Sequence, residues 1–90
     1  MKQMVDVVIL GQQLTVTSDD GPEHVREVAR YLDETMRNVA AGGRAVATLD
    51  VALLAALNIA SEYQKLRMEH KELTETIARL SRRLLAELPG

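Results

Sequence analysis

The sequence contains no cysteine, no phenylalanine and no tryptophan, and Tyr31 and Tyr63 are its only aromatic residues. The absence of cysteine excludes disulfides and cysteine-based metal sites and fits a reducing compartment, so we expect a cytoplasmic protein. A chain of 90 residues without large aromatic side chains buries little apolar surface and is marginally stable by itself. These absences predict that oligomerisation supplements the core.

Strong net charge and long apolar runs are also absent. The net charge is −2 with acidic and basic residues interspersed, so no overall field favours nucleic acid. The apolar run at residues 5–10 is too short for membrane insertion. No catalytic Ser/His/Asp set or phosphate-binding Gly-rich loop occurs, and His24 and His70 lack zinc-ligand spacing. We therefore expect no enzymatic activity, cofactor or metal.

The first part of the chain has the pattern of a β-hairpin followed by a helix. Apolar, β-branched residues between 4 and 10 predict a strand, and we place the turn at Gly11-Gln12-Gln13. Residues 14–17 alternate, which predicts a second strand with Leu14 and Val16 facing inward. The segment 18–23 carries acidic cap candidates and Pro22, which predicts a helix start. This helix is expected to end near Ala41, before Gly42-Gly43.

A second helix is predicted from Thr48 to just before Pro89, because no glycine or proline interrupts it. Its apolar residues follow a heptad pattern that is typical of a coiled coil from Tyr63 onward. The expected seam consists of Leu66, His70, Leu73, Ile77, Leu80 and Leu84. The polar His70 either fixes the register or marks a loosely packed layer. The fold class is thus α+β: a head domain at 1–62, and a coiled-coil stalk at 63–90 for higher-order assembly.

Residues 51–60 are apolar nearly all round, which indicates burial on more than one side. We therefore expect this part of the second helix to pack on its own head and on a partner. The candidate dimer contacts are Ala52, Ala56, Asn58, Ile59 and Tyr63. A buried Asn58 amide requires hydrogen-bond partners, either in its own chain or in a second subunit.

Three arginines near the C-terminus, Arg79, Arg82 and Arg83, allow a second interpretation. The helix dipole favours cations near a helix C-terminus, and an antiparallel partner helix would bring its glutamates within reach of these arginines. Nucleic-acid binding is the minority interpretation of this patch, and we expect no nucleic-acid partner.

Several features in a fixed order resemble the ZapA family of bacterial cell-division proteins. They are the Val-Asp-Val-Val-Ile-Leu-Gly hairpin opening, the Tyr31-Leu32-Asp33 helix followed by Met36 and Arg37, the Gly-bearing connector, and the sequence Ala-Ala-Leu-Asn-Ile-Ala at 55–60. The resemblance covers nearly the whole chain, and the order of the motifs is more specific than any one of them.

The resemblance implies a protein of the mid-cell division ring that binds the tubulin-like GTPase FtsZ and bundles its filaments. It also implies dimers that associate through their coiled coils into a tetramer, with heads at both ends of a rod. The positions that correspond to the family's FtsZ-facing surface are Gln12, Thr15 and Arg44, of which only Arg44 carries a charge. The alternative function is a generic coiled-coil adaptor whose head binds another partner, and further division-ring partners stay open.

Overall fold

The computed structural model describes residues 2–43 and 47–89. Two strands precede two helices: β1 at Gln3–Ile9, β2 at Gln12–Ser18, α1 at Pro22–Ala41 and α2 at Thr48–Glu87. This order confirms the predicted α+β class, with a hairpin, a first helix and a long second helix. The chain divides into two compact units, Met1–Leu57 and Asn58–Gly90, so residues 48–57 of α2 belong to the first unit.

The two strands form an antiparallel hairpin in which Val5 pairs with Val16 and Val7 with Leu14. The turn consists of Leu10 and Gly11, both with positive φ (49° and 77°). Positive φ at both central residues is typical of the type I′ turn, whose twist matches that of the flanking strands. The predicted turn at Gly11-Gln12-Gln13 was therefore wrong by one residue at its start, and both glutamines belong to β2.

Helix α1 begins without the acidic cap that the sequence suggests. Gly21 occupies the N-cap position, no side chain caps the helix, and Pro22 occupies the first turn as predicted. The Ser18 hydroxyl instead accepts a hydrogen bond from the Asp20 amide at 3.1 Å, so these residues form a local turn ahead of the helix. At the other end, the Gly42 amide donates to the Asn38 and Val39 carbonyl oxygens, which confirms the predicted helix end.

One apolar cluster joins the hairpin to α1. Val5 and Val7 of β1 are buried against Val25 and Ala29, which lie one helical turn apart on α1. Alternation along β1 directs these two valines to the same face of the hairpin. Leu14 shares this face because it pairs with Val7, yet its side chain is 45% exposed, so its predicted inward packing is incomplete within the single chain.

A second apolar cluster holds the start of α2. Met36 packs with Val51 and Ala55, and Ala55 is fully buried at 0% exposure. Half-buried Leu10 and Leu32 pack against the same cluster, so the hairpin turn, α1 and the first turns of α2 share one core. Because Ala55 is fully buried, a longer side chain at this position would displace its neighbours.

The second unit consists of α2 from Asn58 onward. No described residue of this unit is buried; a few are half-buried and the rest are exposed. A helix in a protein gains most of its stability from packing an apolar face, so the exposed residues of this unit leave that stabilisation to a partner. None of the described helices combines the length and the apolar content that a membrane span requires.

Candidate interaction surfaces

An apolar stripe runs along the second unit, and we call it the stalk stripe: Tyr63, Leu66, His70, Leu73, Ile77, Leu80 and Leu84. The apolar members are 53 to 64% exposed, and His70 is exposed between them. Spacings of three and four place these side chains on one face of the helix. A regular row of large apolar side chains in water is the surface that a partner helix covers in a coiled coil.

The predicted dimer contacts do not form one uniform surface. Ala52 is half-buried and packs against the cluster of its own chain, while Ile59 is half-buried in the second unit. Ala56 and Asn58 are exposed, so the expectation that Asn58 is buried is not met within the single chain. The Tyr63 ring lies 5.7 Å from the guanidinium carbon of Arg67, which orients the ring through a cation–π contact.

The structure also exposes an apolar ridge that the predicted dimer contacts omit: Leu49, Leu53 and Leu57. These leucines repeat every four residues and therefore stack on one side of α2. At 100° per residue, that side lies opposite Val51 and Ala55, which are buried in the head core. The spacing of four was visible in the sequence, but an all-round apolar segment did not show which side faces the core.

The candidate binding residues of the hairpin lie on its two opposite faces. Gln12 pairs with Ile9, whose side chain packs on the core, whereas Thr15 pairs with Asp6 on the outer face. The Thr15 hydroxyl donates to Asp6 Oδ1 at 2.7 Å, and both Gln12 and Thr15 are exposed. Arg44, the charged member of the predicted set, lies outside the described residues.

Asp33, named so far only as part of the Tyr31-Leu32-Asp33 motif, makes two hydrogen bonds within its own chain. Its Oδ1 accepts a hydrogen bond from the Leu10 amide at 2.7 Å, and its Oδ2 accepts one from Arg37 Nε at 2.9 Å. The hydrogen bond from Arg37 and that from Leu10 stabilise the charged form and hold the pKa of Asp33 below its usual value. One carboxylate thus joins the hairpin turn to α1.

This arrangement predicts a pH-dependent contribution of Asp33 to stability. Because the folded-state pKa is lower than the ordinary value of 3.8, the contribution is complete above pH 3.8 and is lost as the pH falls through the folded-state value. In thermal melts, we expect the difference in melting temperature between the wild type and Asp33→Asn to be constant near neutral pH and to shrink below pH 3.8. A difference that grows on acidification would contradict this assignment.

The chain thus combines a small α+β head with a long helix whose heptad stripe is exposed, an architecture that fits a self-associating protein. The sequence model of the family described as Cell division protein ZapA matches residues 5–88. The Cell division protein ZapA of Bacillus thuringiensis (strain Al Hakam) is 36% identical over 78 residues, covering 87% of this chain and 88% of its own. The corresponding protein of Geobacillus kaustophilus is 37% identical over 76 residues, covering 84% of each chain.

Two solved structures are similar to this chain. A ZapA mutant dimer from Geobacillus stearothermophilus superposes with a TM-score of 0.71 at 35% identity, covering 87% of this chain and 91% of that one. An unknown conserved bacterial protein from Pseudomonas aeruginosa PAO1 gives a TM-score of 0.70 at 27% identity, covering 94% and 92%. The chain belongs to the ZapA family of cell-division proteins, which confirms the resemblance drawn from its motifs.

Proposed function

We propose that this protein binds FtsZ filaments through its head and crosslinks them through self-association, without enzymatic activity, in the cytoplasm at the mid-cell division site. The observation that carries the proposal is the stalk stripe, whose uncovered apolar side chains require a partner helix in a protein of a cell-division family. A similar structure, from Geobacillus stearothermophilus, is a dimer, which supports self-association here.

The two apolar surfaces of α2 suggest two levels of assembly. We assign dimerisation to the head, residues 1–62, through the ridge at Leu49, Leu53 and Leu57 together with the predicted contact at Ala56. The stalk, residues 63–90, then joins two dimers through the stalk stripe. Several weak head contacts on one assembly bind a polymer far more tightly than one head does, because each further contact is intramolecular.

The filament-binding surface is assigned to the hairpin and the connector. Gln12 follows the turn directly and Thr15 lies on the outer face, so both side chains are accessible from solvent. Neither carries a charge, so binding at the hairpin relies on polar contacts and shape, with Arg44 as the charged candidate. Gln12 and Arg44 therefore provide the first test of the surface.

The test is co-sedimentation with polymerised FtsZ from the same organism, together with electron microscopy of the filaments. We expect the wild type to pellet with the filaments and to bundle them, whereas the double variant Gln12→Glu, Arg44→Glu loses at least about tenfold in binding, since two repulsive or desolvated charges are introduced into the contact. Light scattering should show that the variant keeps the wild-type mass.

A matched control carries the same charge changes away from the turn: Gln3→Glu at the open end of the hairpin and Arg26→Glu near the start of α1. This control should bind as the wild type does. An assembled wild-type protein that leaves the filaments unbundled would contradict the proposed function. Equal losses in both double variants would show that overall charge, and not the hairpin tip, governs binding.

A further inference from the structure

The hairpin turn contains an unfavourable backbone conformation. Leu10 has a φ of 49°, and it is the one non-glycine residue with positive φ in the described parts of the chain. For a side chain such as leucine, the left-handed region is disfavoured because Cβ crowds the backbone. The dipeptide Asn-Gly, not Leu-Gly, is favoured in turns of this type, so local preference does not explain this turn.

Two tertiary contacts oppose this local preference. The Leu10 amide donates to Asp33 Oδ1 at 2.7 Å across 23 residues of sequence, and the Leu10 side chain packs against the cluster around Met36. Arg37 holds the other carboxylate oxygen from the next turn of α1 at 2.9 Å. A charge-assisted hydrogen bond of this length is stronger than a neutral one and has a defined direction. The Asp33 carboxylate therefore orients the Leu10 peptide.

We propose that Asp33 is a positioning residue for filament binding: it holds the Leu10–Gly11 turn in its left-handed conformation and thereby presents the hairpin tip, with Gln12 next to the turn, to the FtsZ filament. This inference rests on the proposed function. Asp33 is half-buried and bonded to its own chain through both carboxylate oxygens, so it acts through the turn and not by touching the filament.

The substitution Leu10→Asn separates this role from a general effect on stability. Asparagine before Gly11 is the residue most favoured in a type I′ turn, so the turn no longer depends on an external hydrogen bond. If Asp33 acts by holding the turn, its removal should matter in the wild-type background and not in the Leu10→Asn background. If Asp33 only stabilises the fold, its removal should matter equally in both.

The experiment compares the wild type, Asp33→Ala, Leu10→Asn and the double variant by filament co-sedimentation. We expect Asp33→Ala to weaken binding about tenfold, because the left-handed conformation of Leu10 is disfavoured by roughly that factor once the hydrogen bond no longer holds it. In the Leu10→Asn background, where Asn-Gly favours the turn by itself, the same substitution should weaken binding less than about twofold. Arg37→Ala, which leaves the Leu10 hydrogen bond in place, should have a smaller effect than Asp33→Ala. Equal losses in both backgrounds would overturn the proposal, as would no loss from Asp33→Ala.

Amide hydrogen exchange at Leu10 gives a second readout that does not involve FtsZ. Exchange should accelerate about tenfold or more in Asp33→Ala, because its acceptor is lost, while amides in the α1 interior keep their rates. Unchanged Leu10 exchange would overturn the proposal whatever the filaments do. If the wild type itself fails to bind filaments, the proposed function fails, and the exchange data still test whether the Asp33 carboxylate holds the Leu10 amide.

A destabilised control excludes an effect of stability alone. Val25→Ala removes two methyl groups from the cluster between the hairpin and α1, without touching the turn. At a temperature where all variants are folded, this variant should bind filaments as tightly as the wild type. If it loses as much binding as Asp33→Ala, the positioning role is wrong.

Discussion

Replacing Ile77 with lysine is expected to split the proposed tetramer into dimers. Ile77 lies in the middle of the stalk stripe and is 56% exposed in the single chain, so a partner helix is needed to cover it. A lysine buried there without a partner costs several kcal/mol, and a cost of about 3 kcal/mol weakens the association roughly 100-fold. Sedimentation velocity at micromolar concentration should show the mass halved.

The control for this experiment is Met68→Lys, which makes the same exchange of an apolar side chain for a cation. Met68 is exposed and lies on the side of α2 away from the stalk stripe, at 100° per residue. This variant should keep the wild-type mass. A wild-type mass for Ile77→Lys would show that the seam lies on another face, and a loss in both variants would indicate a nonspecific effect of charge.

The second large effect is expected at Met36, whose replacement by alanine should destabilise the head strongly. Met36 is 5% exposed and packs with Val51 and Ala55, so it anchors α2 to α1. Large-to-small substitutions of this kind cost about 2–5 kcal/mol because they remove buried surface and leave a cavity. At about 4–8 °C per kcal/mol for a domain of this size, the melting temperature should fall by roughly 10 °C or more.

Met4 is the matched control, because it is the same residue type at 77% exposure. Met4→Ala should change stability by less than about 0.5 kcal/mol, as is usual for surface sites. Both variants should be melted at the same protein concentration, since the stability of an oligomer depends on it. Similar melting temperatures for the two variants would contradict the placement of Met36 in the core.

The elements of this fold could be predicted because their signals are local. Gly42 and the uninterrupted sequence from Thr48 onward mark the helix limits correctly, and the heptad spacing identifies the stalk stripe. The hairpin turn was misplaced because Leu10 occupies a conformation that leucine seldom adopts. The prediction of an acidic side-chain cap for α1 was wrong, because the helix begins at Gly21 and Pro22 without a side-chain cap.

The interaction surfaces could be predicted only in part. A periodic pattern identifies an apolar side of a helix, but for the all-round apolar segment before Asn58 it identifies no particular side. Burial of Val51 and Ala55 settles which side meets the head core and leaves Leu53 and Leu57 in solvent. That choice depends on contacts with α1 and the hairpin turn, which are distant in sequence.

The sequence by itself determined the order of the elements, the length of α2 and its apolar heptad stripe, because each depends on the spacing of apolar residues or the position of glycine and proline along one segment. Only the tertiary structure decided that Asp33 holds the Leu10 amide across 23 residues and that the two faces of α2 near Leu53 differ in burial. Such contacts arise when separate elements pack together, and no local pattern specifies which pairs meet.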